Sequence, residues 1–215
     1  MALNLDQIQK YADLLVNFGL SEGNGIKKGE KVLLTCTNYE NPIVNAIKTS
    51  VEKAGGMILL DQFLVLSSKE QSEITDPVVL SKYYHEYFFR KISVDHHIQL
   101  SGKSISNMPG FSSTPLAKEI CEFEYKNFIE EKNNLIRKNK YSYCRAYDTS
   151  ILNPAYFFLD KNNPTEEFQI RKNNLNEICM KFLEKAEKIH VYSDKFDLNM
   201  LVGINRKWCF MTGHN

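Results

Sequence analysis

The stretch from Lys31 to Gln62 constrains the fold more than any other, because it reads as strand, helix, strand with almost no spare residues. Lys31 to Thr37 (KVLLTCT) is rich in aliphatic and β-branched residues, with Gly29 before it and Asn38, Asn41 and Pro42 after it, as expected of a buried strand. From Pro42 the period changes. Apolar residues fall at Ile43, Ala46, Ile47, Val51 and Ala54, with Ser50 beside them, which is one face of a helix. Asn41 is placed to cap that helix and Pro42 to open it, and Gly55-Gly56 stops it. Met57 to Gln62 (MILLDQ) is then a second strand, and two strands joined by a crossover helix run parallel with a right-handed connection. The fold class that follows is α/β: a mostly parallel sheet built on βαβ units and flanked by helices.

Most of the remaining chain fits that class. Leu5, Ile8, Ala12, Leu15 and Gly19 give a first amphipathic helix, which ends in the Ser21, Gly23, Asn24, Gly25 cluster. Pro77 opens a helical pattern through Val78, Tyr83, Tyr87 and Ile92, and Tyr83, Tyr84, Tyr87, Phe88 and Phe89 make it the most aromatic part of the sequence. The plainer reading is a core helix turning its rings to a sheet; the sharper one is an exposed patch for self-association. Val94 to Leu100 reads as a third strand. His96 and His97 are neighbours within it, so their side chains leave on opposite faces and do not converge on one metal. Ser104 to Ser113 reads as a surface loop.

From Pro115 to Arg137 a long helix is expected, with Leu116, Ile120, Phe123, Phe128 and Ile129 inward and Glu119, Glu122 and Glu124 on a solvated face. Arg137-Lys138-Asn139-Lys140 suits its C-terminus, where the helix dipole favours cations. Tyr141 to Tyr147 alternates as a strand, Asn153-Pro154 is a turn, and Thr165 precedes a helix running to about Lys188, with Ile170, Leu175, Ile178 and Phe182 at helical spacing.

Charge and composition remove several function classes. The 215 residues carry a formal charge of +1, so no whole-molecule field draws in nucleic acid or an anionic membrane. Nowhere does an apolar run approach the ~20 residues a membrane helix needs, and the N-terminus lacks a basic, apolar leader, so a cytoplasmic protein is expected. The five cysteines, Cys36, Cys121, Cys144, Cys179 and Cys209, are scattered, form no CxxC pair, and read as small buried thiols. HExxH, GxSxG, GxGxxG and phosphate-loop patterns are all missing. Asn24 to Gly29 precedes a strand where a phosphate loop would follow one.

The tail changes character. Ile189 to Tyr192, Leu198 to Val202 and Lys207 to Met211 are three short strand-like pieces parted by Asp194-Lys195 and Gly203-Ile204-Asn205, an antiparallel meander. Residues 1–188 are accordingly read as an α/β N-terminal domain, and 189–215 as the first strands of a truncated C-terminal domain.

Several of these residues resemble a known family, the metal-dependent aminopeptidases typified by aminopeptidase T. The likeness starts with Lys10 to Val16 (KYADLLV) and Ile26 to Leu33 (IKKGEKVL), returns at Ala54-Gly55-Gly56, and is sharpest in Asp197-Leu198, Gly203, Arg206-Lys207-Trp208 and Gly213-His214-Asn215. Where the family commonly has Thr before Asp-Leu, this chain has Phe196. The resemblance implies a hydrolase that removes N-terminal amino acids from peptides through a pair of divalent metals, zinc or cobalt, held in the C-terminal domain, and so implies that the truncated domain of residues 189–215 is of catalytic type. In that pattern every ligand lies beyond Asn215, so no catalytic, cofactor-binding or metal-ligating residue is assigned to this sequence.

The resemblance therefore implies a peptide substrate only for the complete enzyme and inactivity for this chain alone. An alternative of another class is a non-catalytic α/β interaction module. A weaker third is a small-ligand binder using the strand ends near Thr37 to Asn41, by the general rule for open α/β sheets. An unfinished sheet leaves open strand edges, from which a homodimer at high concentration is expected.

Overall fold

The computed structural model describes residues 3–36, 40–61, 73–101, 114–147, 152–183, 187–193, 195 and 198–203. The chain forms two compact units, one up to Thr165 and one from Glu166 on. The expected third tail strand with Trp208, the Ser104 to Ser113 loop and the apolar residues Phe63 to Leu66 lie outside the described residues.

The first unit is built on four strands, β1 (Lys31–Thr35), β2 (Met57–Asp61), β3 (His96–Ser101) and β4 (Ser142–Tyr147). They lie in the order β2-β1-β3-β4, and every neighbouring pair is parallel. Val32 pairs with Ile58 on one side and with His96 on the other, which makes β1 a central strand. Val32, Leu33, Leu34 and Thr35 are accordingly all buried, the continuous apolar run of a strand covered on both faces.

Helix α1 (Leu5–Asn17), α2 (Pro42–Lys53), α3 (Pro77–Arg90) and α4 (Pro115–Arg137) cover the sheet. Three of them start alike. Asn41, Asp76 and Thr114 each accept a backbone N–H from the first turn, and each is followed by proline at the first helical position. A side-chain cap of this kind contributes about 1 kcal/mol, and the proline gives up only a donor that had no intrahelical partner. In α1 the same role falls to Asn4, whose reciprocal bonds with Gln7 form a capping box.

The two faces carry different helix pairs. α1 meets α2 through Ser50, whose hydroxyl donates to Asp13 at 2.7 Å and accepts from Gln9 at 2.9 Å. Cys144 of β4 lies on this side, its Sγ within 3.2 Å of where a Cβ on Gly19 would stand. Tyr143, one residue earlier, points the other way into a core shared by α3 and α4. There Leu80, Tyr84, Tyr87 and Phe88 pack with Ala117, Cys121, Phe128 and Tyr141.

Two expectations are corrected in this second core. The rings of α3 meet chiefly a helix rather than a sheet: Phe88 stacks on Phe128 with centroids 5.5 Å apart. The buried stripe of α4 is also displaced by one residue, running Ala117, Cys121, Glu124, Phe128, while Leu116 and Phe123 stand exposed. Small side chains at 117 and 121 let α3 approach closely, and the larger residues beside them are turned outward. Leu5 of α1, expected inside, is likewise exposed.

The second unit contains α5 (Pro164–Leu183) and an antiparallel pair, β5 (Lys188–Ser193) and β6 (Leu198–Gly203). Lys188, the expected limit of the helix, opens β5 instead, and Ile170, Leu175 and Ile178 stand exposed on α5. Across the hairpin, His190 Nε2 lies 2.7 Å from Asn199 Oδ1.

Candidate functional site

In an open parallel sheet, ligands gather outside the strand C-terminal ends where the order reverses. Here that point lies between β1 and β3, since the chain leaves β1 toward β2 on one side and β3 toward β4 on the other. Of the stretch Thr37 to Asn41 expected there, residues 37–39 lie outside the described residues. Asn41 is committed to capping α2, its Oδ1 accepting from the Ile43 N–H at 3.1 Å.

The two adjacent histidines separate to opposite faces, as their alternation in a strand requires. His97 turns to the α3/α4 side, with Nε2 2.9 Å from Thr35 Oγ1 and Nδ1 3.3 Å from the Tyr141 hydroxyl. Burial, helped by the Lys91 and Lys132 cations, lowers its pKa to about 3, so the ring is neutral. His96, one position earlier in the same pairings, turns to the other face. Its Nδ1 is 2.8 Å from Ser142 Oγ and its Nε2 2.8 Å from Glu30 Oε2. Burial pushes the Glu30 carboxyl up, yet the bonds from His96 and the Lys27 N–H outweigh it and hold the group below the usual carboxylate range.

Both histidines are therefore fully engaged in tying neighbouring segments of the sheet together. Cys121 and Cys144 are also quiet: burial pushes the first thiol up to about 11 and the second to about 12, well away from a reactive thiolate. Cys36 is buried and belongs to no disulfide among the described residues.

A different cluster lies between α3 and α4. Glu124, expected on a solvated face, is buried at 5% exposure. Its carboxylate accepts from Ser81 Oγ at 2.9 Å and lies 2.9 Å from His85 Nδ1. Ser81 and His85 are four residues apart on α3, so both reach one position on α4. They line an open groove of about 520 Å³ with Pro77, Val78, Lys82, Ile120 and Glu124. The His85 ring stacks on Phe89, centroids 4.3 Å apart and planes 12° from parallel. Sequence reasoning missed this group because a glutamate among many on a helix reads as surface. The available signal was the 4-3-4 spacing of Ala117, Cys121, Glu124 and Phe128.

No known family profile and no curated protein matches the chain. Among solved structures, wild-type AmpT from Thermus thermophilus is similar at a TM-score of 0.45 and 14% identity. The match covers 66% of this chain and 35% of that one, so the chain spans only a minor part of AmpT's length. The similarity is distant, and a likeness of that depth carries no argument about activity. Among the described residues, none of the helices is long and apolar enough to cross a membrane.

Proposed function

We propose that these residues are the N-terminal portion of an aminopeptidase T-like metalloaminopeptidase, an α/β domain that removes no N-terminal amino acids by itself. The observation that carries this reading is the motif series in the tail, Asp197-Leu198, Gly203, Arg206-Lys207-Trp208 and Gly213-His214-Asn215, following the family-like opening at Lys10 to Val16 and Ile26 to Leu33. The α/β first unit supports it as the kind of N-terminal domain that the resemblance implies.

The two divalent ions implied by the family find no fitting ligands here: among the described residues there is no group of three or more His, Cys, Asp or Glu able to hold a metal. A metal-activated water needs such a cluster and an open coordination position. No step through the metal is therefore assigned to the residues of this chain.

The test is an assay of aminoacyl-p-nitroanilide release with added zinc or cobalt, run on the 215 residues and on the product of the gene's complete reading frame. The reading expects turnover, sensitive to chelation, only from a frame that supplies the metal ligands of the family pattern, the first of them the Glu of an Asn-x-Pro-x-x-Glu segment beyond Asn215. Turnover by the 215 residues alone, or a complete frame without those ligands, overturns it.

A further inference from the structure

The His85 imidazole differs from the other histidines of the first unit in a way that the aminopeptidase reading does not use. His96 and His97 are buried with both ring nitrogens bonded. The His85 side chain is 56% exposed, and only Nδ1 has a hydrogen-bond partner among the described residues, the 7% exposed Glu124 carboxylate. A carboxylate can only accept, so the contact is made through an Nδ1 hydrogen, and in the neutral ring with that tautomer the Nε2 lone pair is left for another molecule. Stacking on Phe89 holds the ring plane, and Ser81 holds the second carboxylate oxygen. An imidazole backed in this manner by a buried acid is the arrangement that activates a histidine as nucleophile or base. Its groove is apolar at Pro77, Val78 and Ile120 and holds one cation, Lys82.

We propose that His85 is a nucleophilic catalytic residue for acyl transfer, acting on esters with a small apolar acyl group, and that Glu124 is its positioning residue. Nε2 forms a bond to the ester carbonyl carbon, and the carbonyl π electrons move onto oxygen. When that tetrahedral adduct collapses, the carbon–oxygen bond to the alcohol breaks and the alkoxide leaves with the electron pair. The acyl-imidazolium keeps its Nδ1 hydrogen directed at Glu124. Water then attacks the acyl carbon, releasing the carboxylic acid and the free imidazole, while its remaining proton neutralises the alkoxide. Net, one ester and one water give one acid and one alcohol.

The experiment is hydrolysis of p-nitrophenyl acetate and butyrate by the full 215-residue chain, set against free imidazole at equal concentration. The chain should be faster by at least about tenfold, and His85→Gln should remove that excess while His190→Gln leaves it intact. Glu124→Gln should reduce the rate and convert the His85 ring ¹⁵N spectrum from a single Nδ1-protonated tautomer to a mixture. Should Glu124→Gln fail to fold, the wild-type spectrum and rapid-quench mass spectrometry, with the acyl group on the His85 peptide, stand in its place. A His85→Gln variant as fast as wild type, an Nε2-protonated ring in the wild-type spectrum, or an acyl group found elsewhere overturns the proposal.

Discussion

Thr35, the last residue of β1, and His97, inside β3, are joined by a 2.9 Å hydrogen bond between Oγ1 and Nε2 in the middle of the sheet. The bond is formed by a neutral ring, and that fixes how stability responds to acid. With the folded pKa lowered to about 3 and the unfolded value near 6.5, the unfolded chain binds the extra proton between those limits. Stability from this group is complete above about pH 6.5 and is lost as pH falls toward 3, by up to about 1.4 kcal/mol per unit. His97→Gln should flatten urea-unfolding stability between pH 7 and 5, before Glu30 begins to contribute. A variant with the slope of wild type would remove His97 as its source.

Ile47 of α2 is fully buried against the sheet. Ile47→Asp places an unpaired charge there and should destabilise by at least about 3 kcal/mol, enough to lower the melting temperature by roughly six degrees or more, or to abolish the transition. An unchanged melting curve would contradict the packing of α2 described above.

The displaced stripe of α4 is tested by two phenylalanines. Phe88→Ala removes a ring stacked on Phe128 inside the second core and should cost about 3–5 kcal/mol in chemical denaturation. Phe123→Ala, at a position 63% exposed, should stay within about 0.5 kcal/mol. Equal losses at the two sites would place the stripe where the apolar pattern of the sequence first suggested.

Gly25 and Gly29 both hold positive φ, at +68° and +85°, but only Gly25 is crowded, with Asn17 backbone atoms 2.9 Å from an added Cβ. Gly29→Ala should cost about 1 kcal/mol from backbone conformation alone. Gly25→Ala should cost clearly more, because backbone must shift as well. Melting temperatures of the two variants, measured side by side, check the order.

How far the sequence could be read depended on punctuation. The unit from Lys31 to Asp61 was legible because Asn41-Pro42 and Gly55-Gly56 mark both ends of its helix, and Pro77 and Pro115 likewise marked the starts of α3 and α4, whose caps Asp76 and Thr114 the structure adds. What failed was the choice of face. In α4, Leu116 and Phe123 are more apolar than Ala117 and Cys121, yet helix–helix approach rewards small residues, and Glu124 enters the core only because Ser81 and His85 are there to satisfy it. Partners some forty residues away leave no mark on local periodicity. The tail reads as a three-piece antiparallel meander, of which β5 and β6 form the described pair and Lys207 to Met211 lies outside the described residues; the exposure of Ile170, Leu175 and Ile178 on α5 was not legible, since helical spacing alone does not say what a face will meet.

The strand order has a kinetic side. β1 and β2 are separated by one crossover, whereas the β1–β3 pairing that places His97 beside Thr35 closes a loop about two and a half times as long. Closing it costs roughly 0.8 kcal/mol more in chain entropy. With no hairpin among its four strands, this sheet has no short-range pairing from which to start, so the βαβ unit is the natural nucleus and β3, then β4, must find it from a distance. Substitutions in α2 and β1 should therefore slow folding, while those in β4 and the α3–α4 seam should act mainly by hastening unfolding.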